Sequence, residues 1–213
     1  MRAAPDLVIV PATPDRWPDL EKLFGPDRGA NSGCWCMWWR LTRTAWREMP
    51  KAERKARFRK VVTKGPPVGL LALRAGEPLG WVQVAPRRAT PGFNTSPVAA
   101  PADPQDDLDR VWAITCFYIA AAGRRSGIAH ALAAAAVAHA FAQGAVAVEA
   151  CPKEAGERAS GDLFMGTPSV FRRLAFREIA RRTPARPLMR LDRPVRAPRR
   201  RKAGGRTRNC STR

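Results

Sequence analysis

Apolar and polar positions change their spacing several times along the chain, and each change marks a new element. Leu7-Val8-Ile9-Val10 is an unbroken apolar run closed by Pro11, the pattern of a first strand. Thr13-Pro14-Asp15 opens a helix, with Thr13 as its cap and Pro14 in its first turn, leading into Trp17, Leu20, Leu23 and Phe24. Gly25-Pro26-Asp27 stops it. Residues 44–63 read as one or two helices, apolar at Trp46, Met49, Ala56, Val61 and Val62 and cationic elsewhere. Val68–Leu73 and Leu79–Val84 flank Ala75-Gly76-Glu77-Pro78 as a β-hairpin. Residues 86–107 carry five prolines and few large apolar side chains, which predicts a long loop over the body. Val111–Ile119 is a strand by its β-branched and aromatic content. A turn at Gly123–Gly127, an Ala-rich helix over 127–142 and a strand at Val146–Ala150 follow. A short helix begins at Pro168, and Phe176–Arg181 and Leu188–Leu191 read as the last two strands.

The chain has 213 residues, 45% of them hydrophobic, enough for one cored domain and too many for a wholly disordered chain. His130 and His139 interrupt the Ala-rich stretch, which is too short to span a bilayer, and the N-terminus shows no secretory pattern. A cytoplasmic protein with no membrane contact is therefore expected. The net charge is +20. Nine Arg and Lys with no acid lie in residues 193–213, so a domain at 1–192 and a basic, disordered tail at 193–213 are expected. The remainder still carries +11. An Arg-rich composition is either a compositional bias or the mark of an anionic partner, a phosphorylated cofactor or a nucleic acid. A nucleic-acid-binding protein acting through the tail and the cationic face at 51–60 is one alternative reading, with weak nucleic-acid contact through the tail.

Five cysteines form no framework, and reduced thiols are expected. Cys34-x-Cys36 is tighter than structural zinc spacing and has no converging histidine, so no metal is expected. Gly33-Cys34-Trp35-Cys36-Met37-Trp38-Trp39-Arg40 has no clean period. Its tryptophans are either core or the wall of a pocket for an amine, with Arg40 at the rim.

The informative constellation is strand 111–119, the turn Gly123-Arg124-Arg125-Ser126-Gly127, and the helix after it. A glycine turn that opens a helix presents unpaired N–H groups and the positive end of the helix dipole to a phosphate. Spacing alone allows that reading or an ordinary crossover with solvated arginines.

Arg124-x-x-Gly127-x-Ala129 resembles the acyl-CoA pyrophosphate motif of the GNAT N-acetyltransferase superfamily. The order of elements over residues 7–191 is similar to that family's. Pro168-Ser-Val-Phe-Arg-Arg-Leu-Ala-Phe176 resembles its short helix before a Gly-Phe pair, here Ala175-Phe176. The Cys-Trp-Cys-Met-Trp-Trp-Arg segment resembles a bacterial subgroup of the same superfamily.

The resemblance implies a mixed α/β fold with a central mixed sheet of about six to seven strands, flanked by about four helices and splayed at the motif strand. It implies acetyl-CoA as co-substrate and direct acetyl transfer to an amine, a small molecule in preference to a protein, by a monomer or homodimer. Backbone groups of Phe117, Tyr118 and Ile119 would pair with the pantetheine arm. Arg124, Arg125, Ser126, Gly127, Ile128, Ala129 and His130 would cradle the pyrophosphate. The family's usual tyrosine acid falls at Phe171, so that acid is absent; Tyr118, Ser169, Thr167 or water are the alternatives. Glu149 is either a base acting through water or a satisfied sheet carboxylate. Trp35, Trp38 and Arg40 would face the acceptor.

Overall fold

The computed structural model describes residues 6–25, 33–154 and 163–194; most of the basic tail lies outside them. Seven strands are present among the described residues: β1 (Leu7–Pro11), β2 (Gly69–Arg74), β3 (Glu77–Pro86), β4 (Val111–Ile119), β5 (Ala147–Ala150), β6 (Arg177–Thr183) and β7 (Arg186–Asp192). They form one open sheet in the order β1-β2-β3-β4-β5-β7-β6. Only β4 and β5 run parallel; every other neighbouring pair is antiparallel. The last strand in sequence lies inside the sheet, between β5 and β6.

Among the described residues six α-helices accompany it: α1 (Trp17–Phe24), α2 (Arg43–Glu48), α3 (Lys51–Lys64), α4 (Pro91–Asn94), α5 (Ile128–Ala142) and α6 (Pro168–Arg172). The excess over four comes from short turns of helix, α4 among them, in a segment expected to be loop. None of the described helices is long and apolar enough to cross a membrane.

Strand alternation divides the core by face. Leu70 and Ala72 of β2, with Val82 and Val84 of β3, pack under α5 and α6, whereas Leu71, Leu73 and Trp81 pack against α1, α3 and the Trp-rich segment. Both faces of β2 are therefore buried, which explains its continuous apolar run. On α5 the buried positions are Ile128, Leu132, Ala133, Ala136 and Ala140, a stripe at helical spacing in which small side chains allow close approach to the sheet. Gly80 of β3 completes that approach. A Cβ there would meet Ile128 Cγ2 at 2.8 Å and Leu132 Cδ1 at 3.0 Å. Gly80→Val should therefore push α5 off the sheet and cost about 1–3 kcal/mol, read as a lower denaturation midpoint.

The cationic face of α3 is not a continuous stripe. Arg54 is buried, donating to Gly33 O at 3.2 Å and Trp46 O at 3.0 Å with its guanidinium over the Trp46 ring. Lys55 pairs with Glu21 and Arg57 with Glu53. Half the cations expected to face a nucleic acid are thus committed within the fold.

Candidate active site

β4 and β5 pair from Val111 opposite Ala147 to Ile114 opposite Ala150, and their pairing ends there. On the other side of β4, Ile114 faces Val84 and Cys116 faces Gln83, so Thr115 is an extra residue, a β-bulge. A bulge bends its strand and sharpens its twist, and this one lies where β4 parts from β5. Beyond it the strand alternates cleanly. Ala120 N–H turns toward β3 and donates to Leu79 O at 2.9 Å, while Phe117 N–H turns into the gap and donates to Phe164 O at 2.5 Å. Phe117 and Ile119 therefore present their backbone groups to the gap, whereas those of Tyr118 face β3. Of the three positions expected to serve a ligand with their main chain, Tyr118 is thus withdrawn, and the Phe117 amide already has a partner.

The gap opens toward the start of α5. Gly127 is the N-cap, left-handed at φ 79°, and Arg125 is also left-handed at φ 59°. Ser126 Oγ ties the turn by donating to Gly123 O at 2.7 Å. The first bond of the helix is Ala131 N–H to Gly127 O, so the amides of Ile128, Ala129 and His130 have no intrahelical acceptor. Arg124, Arg125, Ser126 and Gly127 are exposed. A Cβ on Gly127 would meet nothing within 4 Å, so the space above these amides is open. Orphan amides, a helix dipole and two exposed guanidiniums fit a pyrophosphate.

A sequence model of the acetyltransferase (GNAT) family matches residues 35–164, which include the bulged strand, the gap and the cradle. The chain belongs to the GNAT acetyltransferase family. Three solved structures are similar to it. An N-acetyltransferase from Staphylococcus aureus Mu50 is 15% identical, with 88% of this chain and 98% of that one covered at a TM-score of 0.51. A GCN5-related N-acetyltransferase from Kribbella flavida is 18% identical over 87% of this chain and 97% of its own, at 0.50. The yncA protein of Salmonella typhimurium, solved with its cofactor acetyl-CoA, is 14% identical over 91% and 98%, at 0.52. At these identities the likeness establishes the fold. No curated protein matches the sequence. As a GNAT enzyme the chain is an N-acetyltransferase, an acyltransferase that uses acetyl-CoA.

The usual GNAT tyrosine position, Phe171, is fully buried among Phe117 and Phe176 and carries no hydroxyl. Tyr118 lies on the opposite face of β4, half-buried and edge-on to Phe24 at 5.7 Å. Its hydroxyl makes no hydrogen bond among the described residues. Thr167 and Ser169, the other hydroxyl candidates, are within 2.9 Å of each other at the exposed start of α6.

Glu149 does not stand where a base must. It is 0% exposed, and the guanidiniums of Arg87 and Arg190 engage its two oxygens, the second at 3.2 Å. Burial pushes its carboxyl up, and the two arginines pull it back. Arg87 also donates to Asn94 Oδ1 and Ala99 O, and Arg190 to both oxygens of Asp106. Glu149 is therefore an anchor holding segment 86–107 to the sheet. Nothing in a proline-rich stretch marked Arg87 as its buried partner.

The Trp-rich segment separates into core and cleft. Trp35 is 1% exposed, stacked on Trp17 at 5.9 Å and edge-on to Phe24 at 5.7 Å, so it is core and does not face an acceptor. Trp38 does line a cleft of about 270 Å³, with Trp39, Trp46, Arg43, Thr95 and Ser96. Trp39 is the wall this cleft shares with the cluster of Phe93, Met165, Ala113 and Cys151 beside the parting of β4 and β5. Arg40 is not at the rim as expected: its Nε and Nη2 are buried and unpartnered.

Cys36 Sγ lies 3.8 Å from Cys116 Sγ and accepts from Trp81 Nε1. Burial pushes the Cys36 thiol well above its ordinary range and that of Cys34 to about 12, which keeps both protonated and ill-suited as metal ligands. Among the described residues no His, Cys, Asp and Glu converge on a metal site.

Proposed function

We propose that this enzyme moves the acetyl group of acetyl-CoA directly to the primary amine of a small molecule bound in the tryptophan cleft. What supports this reading is a gap beside β4 that leads to the α5 amides, together with an aromatic cleft whose Trp39 wall packs on Phe93, in the cluster that includes Ala113 of β4. When bound, acetyl-CoA supplies the activated acyl group. The amides of Ile128 to His130, with Arg124 and Arg125, hold its pyrophosphate, while the backbone of Phe117 and Ile119 takes the pantetheine arm. Phe117 N–H must exchange Phe164 O for a ligand acceptor, so the turn at 163–166 shifts when the cofactor enters. A backbone N–H at the bend can also stabilise negative charge developing on the thioester oxygen.

No carboxylate is needed to deprotonate the acceptor. Arg43 in the cleft wall disfavours a cationic ammonium and so favours the neutral amine that attacks. Tyr118, whose hydroxyl has no partner among the described residues, gives its proton to the leaving thiolate, and solvent water carries the proton lost by the amine back to it. Tyr118→Phe should then lower kcat by about 10²-fold or more, with the acetyl-CoA KM unchanged. An unaltered kcat would assign the proton to water or to the Thr167–Ser169 pair.

The direct test is calorimetric titration with acetyl-CoA, followed by a thiol-release screen over amines. A folded sample that fails to bind millimolar acetyl-CoA would refute the reading.

A further inference from the structure

Cys36 and Cys116 are 80 residues apart in sequence, yet their sulfurs lie 3.8 Å apart. They come from separate elements. Cys116 follows the Thr115 bulge on β4 and belongs to the cluster of Trp35, Trp81 and Tyr118, on the face of the sheet away from α5. Cys36 belongs to the Trp-rich segment, where left-handed backbone at Trp35 and Cys36, φ 44° and 50°, turns it onto the same face.

The two thiols are unequal. Cys36 is 4% exposed, accepts from Trp81 Nε1 at 3.0 Å, and is kept protonated by burial. Cys116 is half-buried, so it is the sulfur that a small solute reaches first. Cys151, by contrast, is buried, and its thiol points to Val98 O at 3.5 Å. An accessible sulfur backed by an enclosed one is the arrangement that stops oxidation at a disulfide. The first sulfur takes up oxygen, and the second displaces that oxygen before more is added.

We propose that Cys116 and Cys36 are a peroxide-responsive thiol pair whose disulfide locks the Trp-rich segment to β4. The Cys116 thiol ionises and its sulfur attacks hydrogen peroxide; the O–O bond breaks, leaving a sulfenic acid and hydroxide, which takes the thiol proton as water. Two electrons pass from sulfur to the peroxide. The Cys36 thiol then gives up its proton, its sulfur bonds to the Cys116 sulfur, and the sulfenic oxygen leaves with that proton as a second water. Two thiols and one peroxide thus give one disulfide and two waters.

The bond draws the sulfurs from 3.8 Å to about 2.05 Å. β4 is paired with β3 from Trp112 to Ile119, so the Trp-rich turn makes most of the movement. That turn carries Trp38 and Trp39 of the cleft, and the disulfide therefore ties the cleft wall to the strand beside the gap. The chemistry of the pair stands apart from the acetyl-transfer reading.

The test treats the full-length reduced protein with hydrogen peroxide, blocks the remaining thiols and maps the digest by mass spectrometry. The expected product is a linked Cys36–Cys116 peptide, lighter than the reduced pair by two hydrogens and separated again by dithiothreitol. The amides of Met37, Arg40 and Leu41, which close the Trp-rich turn, should exchange with deuterium about tenfold or more slowly after oxidation. The melting temperature should rise by roughly 10 °C, because the bond closes an 80-residue loop. Cys116→Ser should leave Cys36 unoxidised, whereas Cys36→Ala should let Cys116 pass on to a sulfinic acid that dithiothreitol does not restore. Linkage of Cys116 to any other cysteine, or no disulfide where peroxide oxidises free cysteine, would overturn the proposal. So would equal oxidation of Cys36 in Cys116→Ser. A Cys36–Cys116 disulfide that changes neither the exchange of the turn nor the melting temperature would overturn the lock.

Discussion

Gly127→Val is expected to weaken acetyl-CoA binding by about 100-fold or more while the domain stays folded. Gly127 is left-handed at φ 79°, and the space that its Cβ would enter contains no protein atom within 4 Å. The new side chain would therefore disturb only what enters that space, which the proposed function assigns to pyrophosphate. Hydrogen bonds from backbone amides to a charged oxygen contribute about 1.5–3 kcal/mol each, so displacing even two accounts for the loss. The strain of a β-branched residue in this conformation costs the fold a further ~1–2 kcal/mol. Calorimetry with acetyl-CoA and a thermal melt on the same sample separate the two effects. Unchanged affinity would mean that the pyrophosphate lies elsewhere.

The second large effect is on stability. Glu149→Gln should cost about 3–5 kcal/mol, since it leaves the fully buried Arg87 without its counter-charge. In a domain of this size that corresponds to a fall in melting temperature of roughly 10 °C or more. Acetyl transfer per folded molecule, measured well below the melt, should change less than the 10²–10⁴-fold expected for loss of a base. The double replacement Arg87→Met/Glu149→Leu should recover much of the stability, because a packed apolar pair removes the stranded charge that the single change creates. A full loss of kcat in a stable Glu149→Gln enzyme would restore Glu149 as the base.

These two residues differ in how they announced themselves. Gly127 was legible because its geometry is local: Arg124-x-x-Gly127-x-Ala129 joins a strand to a helix, and neighbours in sequence supply the turn and the orphan amides proposed to hold phosphate. Glu149 was ambiguous because its partners come from afar, Arg87 in a proline-rich segment and Arg190 in the final strand. A carboxylate among apolar neighbours shows burial in the sequence and does not show what neutralises it. The tryptophans illustrate the same limit. Trp35 and Trp38 are three residues apart in an aperiodic segment, yet left-handed backbone at Trp35 and Cys36 turns one into the core and leaves the other on a cleft.

What the sequence determined by itself was the set of elements and the motif. Apolar spacing, turn residues and helix caps are short-range, and they placed the strands, the long helices and the glycine turn that opens α5. The tertiary structure alone decided where β4 leaves β5, since a one-residue bulge at Thr115 exists only relative to the register with β3. It also turned the backbone of Tyr118 away from the gap while keeping Phe117 and Ile119 in it. It left two Arg40 donors, Nε and Nη2, buried without a partner among the described residues. Register, burial and charge pairing all depend on which distant segments meet, and that is settled by packing and not by local pattern.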